Sequence, residues 1–122
     1  MRVPVIPKII CGWDMVNRNM MQITTTIKRE WFSQIVSRQK KVEYREDKPY
    51  WQRRLEGIEV PFRLKLINGM RPDSPRLTVT VVKVRKRNGN FELHLGRVRA
   101  VMYWDRKKNQ PLPSRKRTLP KR

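Results

Sequence analysis

Between Gln22 and Trp104 the apolar residues fall at alternate positions in six short runs, most of them bounded by glycine, proline or asparagine. A period of two places one face of an extended strand on a core and the other toward water. This stretch is therefore constrained to a set of half-buried strands. Gln22–Ile27 carries Thr24 and Thr26 on one side, and Lys41–Arg45 sets Val42 and Tyr44 against Lys41, Glu43 and Arg45. Val60–Ile67 turns Val60, Phe62, Leu64 and Leu66 inward, and the turn-rich segment 68–75 then leads into Arg76–Arg87. Asn88-Gly89 is a hairpin signal before Asn90–Leu95, with Phe91, Leu93 and Leu95 inward. After Gly96 a last run, Arg97–Trp104, places Val98, Ala100, Met102 and Trp104 on one face.

Two segments depart from alternation. Lys28–Arg38 brings Trp31 and Ile35, with Phe32 and Val36, to helical spacing, and Trp31 is assigned to the core. Lys48–Glu56 suits a short second helix, with Pro49 in the first turn where a missing N–H costs nothing. Six strands, one main helix and a short second one predict an α+β domain, most economically a small β-barrel with helices at its ends.

The chain has 122 residues, enough for one core, and 38% of them are apolar. Its net charge of +20 has a distinctive distribution. Residues 1–21 hold three bases and one acid, residues 22–105 nineteen bases and nine acids, and residues 106–122 eight bases and no acid. We therefore divide the chain into an irregular N-terminal extension (1–21), a folded domain (22–105) and a basic tail (106–122). The tail contains Pro111, Pro113 and Pro120 with only Leu112 and Leu119 to bury, and is expected to be disordered. Met20 or Met21, just before the patterned region, is a plausible alternative start.

No window approaches the length of an apolar membrane span, and no secretory signal precedes Asp14. A cytoplasmic monomer without membrane contact is expected. Cys11 is the only cysteine and His94 the only histidine. That excludes an internal disulfide and a Cys/His zinc site, and leaves His94 as the sole candidate for a histidine-dependent triad. Neither a metal nor a cofactor is expected. His94 shares a strand face with Glu92 and is read as a partly buried, hydrogen-bonded residue.

The chemistry concentrates at Arg38–Arg45, RQKKVEYR. Glu43 and Arg45 stand two apart on a strand and project from one face, with Lys40 in the preceding turn. The arginine fork suits a phosphate or base edge, the lysine suits a phosphate, and Glu43 can accept from an exocyclic amine or hold Arg45 in position. The competing reading is a solvated face of alternating charge. Tyr50 and Trp51, beside Arg53 and Arg54, combine a stacking platform with a phosphate clamp, although one of the two rings is expected to pack on the barrel. The runs 83–87 and 97–99 place alternating cations on adjacent strands, so a basic stripe is expected across the sheet.

A helix followed by this motif resembles the ASCH domain of the PUA-like superfamily, whose hallmark is Gly-x-Lys-x-x-Glu-x-Arg at the start of a strand. Lys40, Glu43 and Arg45 match, while Arg38 stands at the glycine position. Further ordered matches are Lys48-Pro49-Tyr50-Trp51, Asn68-Gly69 followed by Ser74-Pro75-Arg76, and Leu93-His94-Leu95-Gly96. The resemblance implies a PUA-like β-barrel over about residues 22–100, with a cleft suited to RNA or a nucleoside.

Two functions follow. The first is an RNA-binding protein that uses Lys40, Glu43, Arg45, Tyr50, Trp51, Arg53 and Arg54 to hold single-stranded RNA or a nucleoside. The alternative is a small hydrolase, because ASCH relatives include amidohydrolases acting on an acylated cytidine and proposed ribonucleases. In the amidohydrolases a motif lysine activates a threonine three residues on. Here that position holds Glu43, which removes the nucleophile but leaves Lys40 and Glu43 as a pair that can polarise water. A third reading is non-specific adhesion to polyanions through the tail.

Overall fold

A computed structural model describes residues 20–113. The architecture is α+β: a curled, mixed five-stranded sheet forms half a barrel, accompanied by two helices. In chain order these are β1 (Gln22–Thr26), α1 (Arg29–Val36), β2 (Val42–Glu46), α2 (Pro49–Leu55), β3 (Phe62–Ile67), β4 (Arg76–Arg87) and β5 (Asn90–Met102). A two-stranded ribbon of β6 (Trp104–Asp105) and β7 (Gln110–Pro111) follows.

The sheet order is β1-β3-β4-β5-β2, with β1 parallel to β3 and every other pair antiparallel. Its spine is the long β4–β5 hairpin. Asn88 and Gly89 both take positive φ, 53° and 77°, the backbone of a tight hairpin turn that matches the twist of its strands. β3 pairs with the start of β4, from Arg76 to Val81, whereas β2 pairs with the start of β5, from Asn90 to His94. The hairpin thus carries β3 and β1 at one end and β2 at the other. Three register shifts along it curl the ribbon, because each extra residue increases the local bend and twist. The two sheet edges, β1 and β2, are brought face to face across an opening.

The concave side holds the core. Phe62, Leu64, Leu66, Leu77, Val79, Val81 and Leu93 are fully buried and meet Phe32, Ile35 and Val36 of α1 and Trp51 of α2. Among the described residues no helix is long and apolar enough to cross a membrane.

Several expectations change. The last two anticipated strands are one, β5, running through Gly96. Glycine there signals close approach rather than a break, since a Cβ would meet Val82 Cγ1 at 3.1 Å. Ala100, at φ 57°, sits at a bulge. A one-residue slip exchanges the two faces of a strand, so Val101 packs on the core where Ala100 and Met102 had been expected. Val60 lies before β3 and is exposed. Trp31 is not core: Phe32 takes the inward position, because it has apolar partners at both i+3 and i+4.

The boundary at 105 also moves. The β6–β7 hairpin carries paired strand to Pro111, and Leu112 adds one more backbone hydrogen bond. The Trp104 indole N–H donates to Asn109 Oδ1 at 3.0 Å and the Leu112 N–H to Tyr103 O at 3.2 Å. Pro111 is tolerated at the edge of a two-stranded ribbon. The irregular extension expected over 1–19 and the disordered tail expected over 114–122 fall outside the described residues.

Candidate functional site

Between the edges of β1 and β2 opens a cleft of about 800 Å³. Its wall on the β2 side is made by an inversion of the usual pattern. Glu43 and Arg45 turn inward, opposite Leu93 and Phe91 of β5, while Tyr44 turns outward and is exposed. Glu43 is only 5% exposed, so its charge requires partners. Arg45 supplies them, with Nε donating to Glu43 Oε2 at 3.0 Å and Nη2 at 2.7 Å from the same oxygen. Lys40 Nζ lies 3.6 Å from Oε1.

Arg45 also spans the opening. Its Nη2 donates to Thr26 O on β1 at 3.0 Å, and its guanidinium lies 5.3 Å from the Trp51 ring centre. Arg54 makes a second bridge, from Nη2 to Thr24 O at 2.6 Å, and its Nη1 donates to the Tyr50 hydroxyl. The Arg45 guanidinium thus joins two strand edges that no ladder joins, and Arg54 ties α2 to the same edge of β1. Among the described residues Arg45 Nη1 has no hydrogen-bond partner, and it remains as a donor in a cleft that Arg45 lines.

Aromatic residues share the rest of the lining with Lys28, Glu46, Lys48 and Asn68: Trp31, Tyr50 and Trp51 belong to it, and so does Tyr44, although its side chain alternates to the outward face of β2. Tyr50 is exposed and meets buried Trp51 edge to face at 5.8 Å, so the second ring packs on the barrel and the first is available. Lys40 does not line the cleft. Its ammonium sits 5.0 Å from the Trp31 ring and 5.1 Å from Tyr44, a cation held between two rings behind the wall. Arg53 is exposed and outside the lining.

The turn out of α1 positions this group. Arg38 adopts φ 69°, the left-handed conformation for which glycine is usual, and Gln39 and Lys40 N–H groups both donate to Gln34 O. The Arg38 guanidinium does not reach the cleft; it donates to Gly96 O at 2.8 Å. The next turn is tied by Asp47, whose Oδ1 accepts from Gln52 Nε2 at 2.8 Å and whose Oδ2 lies 3.3 Å from Lys86 Nζ. The Gln52 hydrogen bond, aided by Lys86 and opposed by partial desolvation, holds the Asp47 carboxyl below the ordinary carboxylate value.

Sequence reading missed Trp31, Tyr44, Lys28 and Asn68 in the lining. Asn68 Nδ2 donates to Ile27 O at 2.9 Å, which fixes the end of β1 at the cleft floor. The signal for Trp31 was present, since it has one apolar helical partner where Phe32 has two. His94 Nε2 is buried 3.4 Å from Glu92 Oε1 without hydrogen-bond alignment, on the convex face and away from the cleft. No family model matches the chain, and no curated protein matches it.

Proposed function

We propose that the cleft between β1 and β2 holds a base of single-stranded RNA, or a nucleoside, and that the chain is an RNA-binding protein of the ASCH type on a PUA-like barrel. The observation that carries this reading is the lining itself: exposed aromatic rings beside an arginine that keeps an unused amino group. Rings give a base a stacking surface, and a guanidinium fork grips a base edge or phosphate. Glu43 fixes the orientation of that fork. The charge of +20 supplies attraction for a polyanion. The ASCH assignment is supported by the Lys40, Glu43 and Arg45 spacing and by the left-handed backbone at Arg38, where that pattern has glycine.

The hydrolytic alternative draws less support. Both oxygens of Glu43 are engaged by cations, and Lys40 is enclosed by Trp31, Tyr44 and Glu43, so neither is placed to activate water in the cleft. The test is incubation of the full chain with an N4-acylcytidine and with a single-stranded RNA oligomer. Retention of intact oligomer without release of the acyl group is expected. Turnover abolished by Lys40→Ala in a folded protein would establish the hydrolase instead.

A further inference from the structure

The convex face of the sheet, opposite the core, carries a second charged surface that the cleft does not use. The register across four strands defines two rows on it. One row runs Thr24, Lys65, Thr78, Arg99, and the neighbouring row begins Gln22, Arg63, Thr80. In the second row Gly96 and Arg97 fall opposite Thr80, within the register shift between Val79 and Val81. The alternate residues of β3 and β4, Phe62 to Leu66 and Leu77 to Val81, are fully buried beneath. Neither row contains an Asp or Glu. The other basic run, 83–87, lies farther along the hairpin, where Lys83 faces His94 and Arg85 faces Glu92. The stripe expected from adjacent runs is therefore built differently: its cations stand on β3 and β5, with the small threonines of β4 between them.

Like charges directly opposite on neighbouring strands repel, and here each row separates them by a threonine. Lys65 and Arg99 are two strand spacings apart, about 10 Å, and residues two apart along a strand are separated by about 7 Å. The result is a shallow trough with a hydroxyl-bearing floor at Thr78 and Thr80 and a cationic rim on either side. A cluster of one sign on exposed or half-buried positions, with no acid in either row, is complementary to a regularly spaced polyanion. We infer that this convex face binds the phosphate backbone of a nucleic acid, without base selectivity, as a contact separate from the cleft. It adds a positioning surface to the base-binding reading proposed above and shares with it only the class of partner. Phosphate contacts position a strand while base contacts specify it, and the two faces divide those tasks.

The test measures affinity of the full chain for a single-stranded uridine oligomer as a function of salt, beside titration with uncharged nucleosides. Each phosphate neutralised on a single strand contributes about −0.7 to the slope of log affinity against log salt. The double variant Lys65→Gln/Arg99→Gln should make that slope shallower by about 1.4, so that the affinity lost between about 50 and 200 mM salt shrinks about seven-fold. The control Lys107→Gln/Lys108→Gln removes the same charge at the exposed β6–β7 turn and should leave the slope unchanged. If the first variant does not fold, Arg97→Gln/Arg99→Gln, both at exposed positions, carries the same expectation. Equal slopes in face and control variants overturn the inference, whether both fall or neither does. Nucleoside binding together with an unaffected slope leaves the cleft reading standing and removes this one. A shallower slope without nucleoside binding does the reverse, and an oligomer that does not bind overturns both.

Discussion

At the scale of residues, Glu43 and Arg45 do two things at once. Arg45 neutralises a buried carboxylate and ties β2 to the edge of β1, while one amino group stays in the cleft. Arg45→Lys keeps the charge and loses the fork, so base or phosphate affinity should fall by about 1–3 kcal/mol with the long-range field unchanged. Glu43→Gln removes the acceptor that orients the fork and should cost about 2 kcal/mol of stability in urea unfolding, with weaker base discrimination. Tighter, unselective binding by Glu43→Gln would show that Glu43 only repels polyanions. The Lys-x-x-Glu-x-Arg group was legible because strand geometry alone puts residues two apart on one face. The enclosure of Lys40 was not, because Trp31 and Tyr44 meet it from different elements.

At the scale of elements, the sequence pattern located both helices and all five strands of the sheet to within a few residues, and it erred at β5. Alternation cannot reveal a bulge, since the extra residue looks like any other until its partner strand is placed. Gly96→Val should therefore cost about 1–3 kcal/mol, because new side-chain atoms would enter space already filled by Val82 and Thr80. Chemical denaturation checks this, and an unchanged midpoint would mean that the strand has room there. The turn between β2 and α2 gives a pH dependence. Asp47 is more acidic in the folded chain than an ordinary carboxylate, so its contribution is present above the usual carboxylate range and is lost as pH falls through its lowered value. Asp47→Asn should flatten that acid limb of the stability curve while leaving Lys86 and Gln52 in place. An acid limb identical to wild type would show that the tie is not maintained in solution.

At the scale of the whole molecule, the hairpin of β4 and β5 determines where the cleft lies, by curling the sheet until its two edges face each other. A small α+β barrel was legible from six alternating runs, but its incomplete closure was not, because the Arg45 side chain ties β2 to β1 in place of a ladder, which no pattern encodes. The charge-based boundary failed for a similar reason: residues 106–113 read as a basic, proline-containing tail, yet Trp104 needs Asn109 and the β7 strand to complete its surroundings. A chain ending at Asp105 should unfold at lower temperature than one ending at Pro113, and equal midpoints would restore the earlier boundary. The central claim is that the cleft takes a base. Its most direct measurement is calorimetric titration of the full chain with each ribonucleoside, in wild type and in Trp31→Ala. Trp31 is 37% exposed and lines the cleft, and its ring also carries the Lys40 ammonium, so its removal should lower the thermal midpoint while leaving a cooperative unfolding transition that shows the variant is folded at the temperature of the titration. Saturable binding of at least one nucleoside to a single site is predicted, weakened about ten-fold by Trp31→Ala through loss of stacking. No saturable binding of any nucleoside, or binding indifferent to Trp31→Ala, would contradict it.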